Sequence, residues 1–373
     1  MKPAGLRPRV LVLGESANPE SSSVSLEGWS LTHALRQHAD VHLVTHLRNR
    51  DALQRAGWVE GRDFTPIDPG TIEKPVTRFG EAVRKVTRFG WTWTTAFSAL
   101  TYYYFEELVW RRFHADLQSG QFDLVHRINP VSPPTPSIIA GRLHRIRVPF
   151  VWGPINGGVP WPKGFGSVLR REGEWLSYLR AGRKLMPGYR TTRTAAAALI
   201  TGSTCVWEDF KPHRGRCVYV PENAIDSARF PPSPTKTGAG PLRVAFVGRL
   251  VPYKGVDMLL EAAAPLVRSR KVVLDIIGDG PEMPAVRRLI DSEHISQGIT
   301  LTGWLDQREV LKRLVRAQVF AFPSIREFGG GVVLEAMALR LVPIVVNNGG
   351  PGELVSDETG FEGGDLTLGE HRT

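Results

Sequence analysis

Short apolar runs of four to six residues recur along this chain, each followed by a polar loop and a stretch of helical spacing. That rhythm constrains the fold more than any other feature. The runs in the first half are Arg9 to Gly14 (RVLVLG), Val41 to Thr45, Phe122 to His126 (FDLVH), Pro149 to Gly153 (PFVWG) and Leu199 to Thr201. Between them, Gly28 opens a helix with Trp29, Leu31, Ala34 and Leu35 on one face, and a second helix is expected from Ser137. A second series gives strands at Val244 to Val247, Val273 to Ile277, Ile299 to Thr302, Val319 to Phe322 and Pro343 to Val346, with helices at Val256 to Val267 and Glu282 to Ile290. Strands alternating with helices predict parallel sheets covered on both faces. The chain of 373 residues exceeds what one core serves, so two doubly wound, Rossmann-like α/β domains are expected. They span 1–222 and 241–373, joined by a linker over 223–240 whose Phe230 to Gly240 part (FPPSPTKTGAG) suits an exposed hinge. Ligands of such domains bind at the carboxyl ends of the strands, here in a cleft that the two domains face.

Charge is divided unevenly. The formal net charge is +10, but residues 1–200 carry +11 and residues 201–373 carry −1, and arginine supplies most of the excess. Arginine suits phosphate and carboxylate, so the first half either meets an anionic partner or presents a solvated basic surface. The stretch Arg78 to Leu117 fits an amphipathic basic helix, with Phe79, Val83, Val86, Phe89, Trp93, Phe97 and Leu100 at three- and four-residue steps. Such a helix lies in a membrane interface or, like most one-stripe helices, caps a sheet edge or walls a substrate cleft. Only two cysteines occur, Cys205 and Cys217, which excludes a disulfide scaffold and a four-cysteine zinc site and suits a reduced, cytoplasmic protein. The longest nearly apolar stretch, Ala96 to Phe105, falls short of the ~18 residues of a membrane span. Peripheral attachment to the inner face of a membrane is the alternative to a freely soluble state.

The segment Arg326 to Ala336 (REFGGGVVLEA) sets Glu327 and Glu335 on either side of Gly329, Gly330 and Gly331, where a strand ending at Phe322 feeds a helix starting near Gly331. Backbone N–H groups without side chains at a helix start bind anions and admit a ligand closely. Two carboxylates bracketing a phosphate cradle suit a nucleotide sugar. In Gly248 to Gly255 (GRLVPYKG), Arg249 and Lys254 place two positive charges at a strand-to-helix turn, where a diphosphate leaving group develops charge. No Gly-Lys-Ser/Thr follows, so this is not a P-loop and a Walker-type NTPase is disfavoured. Met283 stands where the third glycine of a dinucleotide fingerprint would follow Gly278 and Gly280, so NAD is disfavoured.

GRLVPYKG, IIGDGPE, LTGW, FPSIREFGGGVVLEAMA and NNGGPGE, in that order over about 243–361, resemble the retaining glycosyltransferase family 4 with the GT-B fold. The resemblance is weaker over the first domain. It implies a sugar transferred from a nucleotide-diphosphate sugar to an acceptor such as a lipid-linked or cell-surface glycan precursor, with retention at the anomeric carbon. Arg249 and Lys254 would bind the departing diphosphate, with the amides of Phe328 to Gly331 completing the cradle. Glu335 would hold the ribose, Glu327 the transferred sugar, and Gly278 to Gly280 with Gly303 and Trp304 the base. In the first domain Gly28 would admit the phosphate, and His126 would contact the acceptor or serve as a structural histidine. The family often has a second histidine where this chain has Ile128. Trp152 to Gly158 either lines the acceptor side or forms a tight structural turn.

No Asp-x-Asp pair occurs, so a transfer without a divalent metal or other cofactor is expected, the cations coming from arginine and lysine. Other readings are a nucleotide-sugar epimerase of the same fold and a non-catalytic protein that binds anionic ligands. A nucleic-acid partner is not expected, because no such motif occurs. After Phe361 the chain runs EGGDLTLGEHRT, without apolar periodicity, so the final helices usual in the family are expected to be missing.

Overall fold

The computed structural model describes residues 7–21, 23–70, 90–133, 135–172, 184–221, 223–225, 230 and 240–363. The chain divides into two compact units. The first takes in residues up to Gly158 and from Gly173 to Glu222, and the second takes in Val159–Glu172 and the chain from Asn223 onward.

The first unit is a seven-stranded parallel sheet. Its strands are β1 (Arg9–Gly14), β2 (Asp40–His46), β3 (Phe64–Ile67), β4 (Leu124–Asn129), β5 (Phe150–Ile155), β6 (Ala198–Thr201) and β7 (Cys217–Tyr219), in the order β3-β2-β1-β4-β5-β6-β7. Both faces of the sheet are buried, and β1 shows why its sequence is continuously apolar. Leu11 and Leu13 enter one core cluster with Val44, Phe105 and Phe150, while Val10 and Val12 enter another with Leu43, Leu53 and Phe64. Side chains two apart share a face, so a strand covered twice needs apolar residues at every position. Each such side chain contributes about 1.5–3 kcal/mol of burial.

The helix Gly90–Gln118 packs on the first of these clusters through Tyr102, Phe105, Val109, Phe113 and Leu117, at three- and four-residue steps. Over that half it is a core helix. The part of the expected amphipathic stretch from Arg78 to Phe89 lies outside the described residues, as do the side chains of Trp93 and Phe97. Among the described residues no helix is long and apolar enough to cross a membrane.

The second unit is a six-stranded parallel sheet: β8 (Leu242–Val247), β9 (Val272–Ile277), β10 (Ile299–Leu301), β11 (Val319–Phe322), β12 (Val342–Val346) and β13 (Phe361–Gly363), in the order β10-β9-β8-β11-β12-β13. Its helices Val256–Arg268 and Met283–Ser292 each turn an apolar stripe to the sheet, with Val256, Leu260, Ala263, Ala264 and Val267 buried on the first. The order reverses between β8 and β11, so the loops after these two strands flank a topological switch point.

Two expectations about boundaries change. Residues 159–172 belong with the second unit although they precede 173–222 of the first. Of the expected linker, Phe230 is buried in the second core and Ile225 packs against it, because their apolar side chains find the sheet's helical layer. Residues 226–229, 231–239 and the tail 364–373 lie outside the described residues.

Candidate functional site

The two loops at the switch point of the second sheet bring Lys254 and Glu327 together. Lys254 closes the short turn Pro252–Lys254 after β8, and its Nζ forms an ion pair with a Glu327 carboxylate oxygen. The pair is largely withdrawn from solvent, at 13% and 18% side-chain exposure. The ammonium also lies 4.7 Å from the Phe322 ring centre and 5.7 Å from that of Tyr253. Cations over aromatic faces are stabilised by the ring quadrupole. Glu327 is fixed from its own side, since its other oxygen accepts the Phe328 N–H at 3.3 Å and its carbonyl accepts the Gly350 N–H at 3.3 Å. The Tyr253 carbonyl accepts the Ile325 N–H at 2.9 Å, which ties the two loops together. Burial, with Glu327 adding repulsion, pushes the Tyr253 hydroxyl up to about 12.

Arg249 stands at the mouth of the same loop and is exposed. No carboxylate among the described residues is shown pairing with it. Glu335 lies half-buried one turn into the helix Gly331–Ala338, whose cap Gly330 adopts left-handed geometry (φ 71°) and supplies no side-chain cap. The helix thus begins with side-chain-free backbone beside Phe328 and Gly329.

Gly278 and Gly280 have a role that spacing alone does not show. A Cβ at Gly278 would come within 1.9 Å of the Gly248 carbonyl oxygen, and one at Gly280 within 2.3 Å of the Leu250 carbonyl oxygen. Backbone hydrogen bonds seal this approach, from Leu250 N–H to Asp279 O at 2.9 Å and from Glu282 N–H to Leu250 O at 3.1 Å. These glycines therefore let one loop lie against the next, which holds the Arg249–Lys254 segment in place. The Gly278 N–H donates to the Gly303 carbonyl at 3.0 Å, and the neighbouring Trp304 is 74% exposed, an open aromatic face at the same edge.

In the first unit, neighbouring parts of the chain fill the space beside both His126 and Gly28. His126 is 5% exposed, and its Nε2 donates to the Gly153 carbonyl at 2.7 Å, linking the middles of the neighbouring strands β4 and β5. Burial pushes it down to about 4, so the ring is neutral at ordinary pH. This geometry fits the structural histidine that was one of the two roles expected for it. Gly28 does not open its helix: the helix Val24–Leu35 starts a turn earlier, and Gly28 is buried inside it. A Cβ there would meet the Asn129 Nδ2 at 2.3 Å, so the glycine makes room for Asn129, whose Oδ1 accepts the Ser16 N–H at 3.2 Å.

Also in the first unit, Arg127 is fully buried between Tyr102 and Trp152, with ring centres 4.6 and 5.3 Å from its Cζ. It donates to the Thr135 carbonyl at 2.8 Å and faces the charge of Glu106, itself fully buried. Glu106 in turn accepts from the Ser137 hydroxyl and the backbone N–H groups of Ile138 and Ile139, capping the start of the helix Ile139–Arg145.

Sequence reasoning left two parts of the second unit's site without a role. Arg326 is 9% exposed, and its Nε donates to the Val159 carbonyl at 2.9 Å. Residues 159–172, remote in sequence, lie against the same loops. An arginine directly before Glu327 was a readable signal for the first. Nothing local marks the second. Among the described residues, no group of three or more His, Cys, Asp or Glu side chains gathers to hold a metal ion.

The second unit is an open, doubly wound α/β sheet with an ion pair and a glycine-started helix at its switch point, the place where ligands of such sheets bind. Residues 233–363 match the family model of glycosyl transferases group 1. Among characterised relatives, an alpha-D-kanosaminyltransferase of Streptomyces kanamyceticus is 32% identical over 117 residues, 31% of this chain and 30% of that protein. A GDP-mannose-dependent monoacylated alpha-(1-6)-phosphatidylinositol monomannoside mannosyltransferase of Corynebacterium glutamicum is 34% identical over 134 residues, 33% of this chain and 34% of that one. Each alignment thus spans about a third of the relative. The crystal structure of HepE of Anabaena in complex with UDP matches with a TM-score of 0.64 at 15% identity, covering 95% of this chain and 85% of that one. Sucrose-phosphate synthase of Thermosynechococcus elongatus matches with a TM-score of 0.58 at 16% identity, covering 97% and 87%. The fold is GT-B, with two Rossmann-like domains.

Proposed function

We propose that the protein transfers a sugar from a nucleotide-diphosphate sugar to an acceptor, with retention at the anomeric carbon as in glycosyltransferase family 4. The observation that carries the reading is the Lys254–Glu327 pair at the switch point of a group 1 glycosyl transferase domain. An ammonium has three donor hydrogens, so Glu327 can orient Lys254 and leave donors for a phosphate oxygen. Arg249 at the loop mouth supplies the second cation, and the two together stabilise charge on the departing diphosphate. The amides of Phe328 to Gly331 complete the phosphate cradle. Glu335 takes the ribose hydroxyls, Trp304 offers a face to the base, and Glu327 takes the transferred sugar. The transition state is oxocarbenium-like, as in other glycosyl chemistry.

The two cations make a metal-free transfer workable, and no other cofactor is invoked. The acceptor is a sugar or lipid-linked glycan precursor taken by the arginine-rich first unit, whose charge also suits an anionic membrane surface. Peripheral association with the cytoplasmic face of a membrane follows from that reading.

The test is incubation of the full chain with UDP-, GDP- and ADP-sugars and candidate acceptors, with and without excess EDTA, followed by NMR of the product. Nucleoside diphosphate release with a retained anomeric configuration in EDTA is the expected result. Isomerised donor without transfer would replace the reading by an epimerase. Activity lost in EDTA and restored by Mg²⁺ or Mn²⁺ would overturn the metal-free mechanism.

A further inference from the structure

The segment 159–172 reaches the loops that follow β8, β9 and β11. At one end, Arg326 in the loop after β11 donates to the Val159 carbonyl and lies over the Trp161 ring at 5.0 Å, with the Phe328 ring at 5.5 Å. At the other end, the helix Gly166–Arg171 packs on the turn Pro252–Lys254. There the Glu172 carboxylate accepts the Tyr253 N–H at 3.4 Å. Arg171 forks between two acids: Nη1 lies 3.3 Å from Asp257 in the first turn of the helix Val256–Arg268, and Nη2 pairs with Glu282 in the loop after β9. Arg171, Leu250, Pro252 and Glu282 line a common cleft.

We propose that residues 159–172 are a working part of the nucleoside-diphosphate site, and that Arg171 is a positioning residue for Lys254. This rests on the donor site proposed above. Arg171 acts in two ways. Its planar fork holds the starts of two helices in one register, which only a bidentate cation does well. It also neutralises Asp257 and Glu282, two carboxylates that would otherwise repel an anionic ligand from the adjacent loop. Because its partners Asp257 and Glu282 keep 40% and 23% side-chain exposure, removing Arg171 leaves no fully buried charge behind and should leave the fold intact.

The experiment is calorimetric titration of the full chain with UDP, GDP and ADP, using whichever binds the unaltered protein most tightly for the variants. Arg171→Ala should weaken that nucleotide about tenfold, and Arg171→Lys should recover part of the loss by restoring charge without the fork. Arg268→Ala is the control, because Arg268 forms an equally exposed pair with Glu293 away from these loops. It should bind as the unaltered protein does. The ligand-free melting temperatures of Arg171→Ala and Arg268→Ala should agree. Hydrogen exchange of the unaltered protein supplies an independent readout, with amides of 159–172 gaining protection when nucleotide is added.

Equal affinity in Arg171→Ala and Arg268→Ala, a binding loss matched by a lower ligand-free melting temperature, or unchanged exchange in 159–172 would each overturn the inference alone. No binding of any of the three nucleotides to the unaltered protein would overturn the donor site and this inference with it.

Discussion

Replacing Gly278 with alanine puts a methyl group where the carbonyl of Gly248 now stands. The added carbon would lie 1.9 Å from that oxygen, about 1.5 Å inside ordinary contact, in an interior with no slack to absorb it. The obstruction is backbone and cannot rotate away. The backbone of Gly278 is also at φ +140°, a conformation that costs a residue with a side chain about 1–3 kcal/mol. Overpacking of the loop adds about 1–3 kcal/mol, so Gly278→Ala should destabilise the second unit by roughly 2–6 kcal/mol. Against a typical stability of about 5–15 kcal/mol, that is a large fraction. In urea followed by circular dichroism, the midpoint should fall by about 1–3 M. An unfolding free energy unchanged to within about 0.5 kcal/mol, together with weakened nucleotide binding, would refute the reasoning. Gly278 would then serve the ligand and not the approach of the two loops.

Lys254→Ala should lower turnover by two or more orders of magnitude, the scale of losing a placed charge at a leaving group, and turnover within about threefold of normal would remove Lys254 from the chemistry. For His126, the folded value near 4 lies below the ordinary 6.5, so its contribution to stability is present above pH 6.5 and is lost as pH falls toward 4. The loss amounts to about 3 kcal/mol over that window, and denaturation curves of His126→Asn should lack this part of the acid slope. Arg127→Leu should destabilise the first unit by about 3–5 kcal/mol because it strands the buried carboxylate of Glu106, and adding Glu106→Gln should recover part of the loss. A single variant as stable as the starting protein would show that the two charges are not coupled.

Much of the fold was legible because strands buried on both faces must be apolar at every position. β1 and β11 have the expected limits, and the other strands expected from apolar runs fall within three residues of theirs. Three strands went unread. β3, β7 and β13 are sheet edges of three or four residues, and Phe64–Ile67 contains a proline while Phe361–Gly363 ends in glycine, so neither carries a strand-like pattern. The pairing of Lys254 with Glu327 was half legible. Each residue announced itself by its position at a strand-to-helix turn, but their contact follows from β8 and β11 being neighbours.

The surroundings of His126 and Gly28 were illegible for a common reason. A histidine at a strand end and a glycine near a helix start look alike in sequence whether a ligand or a neighbouring side chain fills the space beside them. Here the Gly153 carbonyl and the Asn129 amide fill it.

Two parallel α/β domains, the concentration of positive charge in the first, and a carboxylate–glycine–cation set in the second were all legible in the residues alone. These follow from local periodicity and from residue chemistry at fixed spacing. Long-range contacts alone reveal that Gly278 and Gly280 serve loop packing, that His126 is buried against the Gly153 carbonyl, and that residues 159–172 join the second unit. Each of those depends on which backbone lies within 4 Å of which, and chain segments as far apart as Arg171 and Glu282 leave no local pattern by which to find one another.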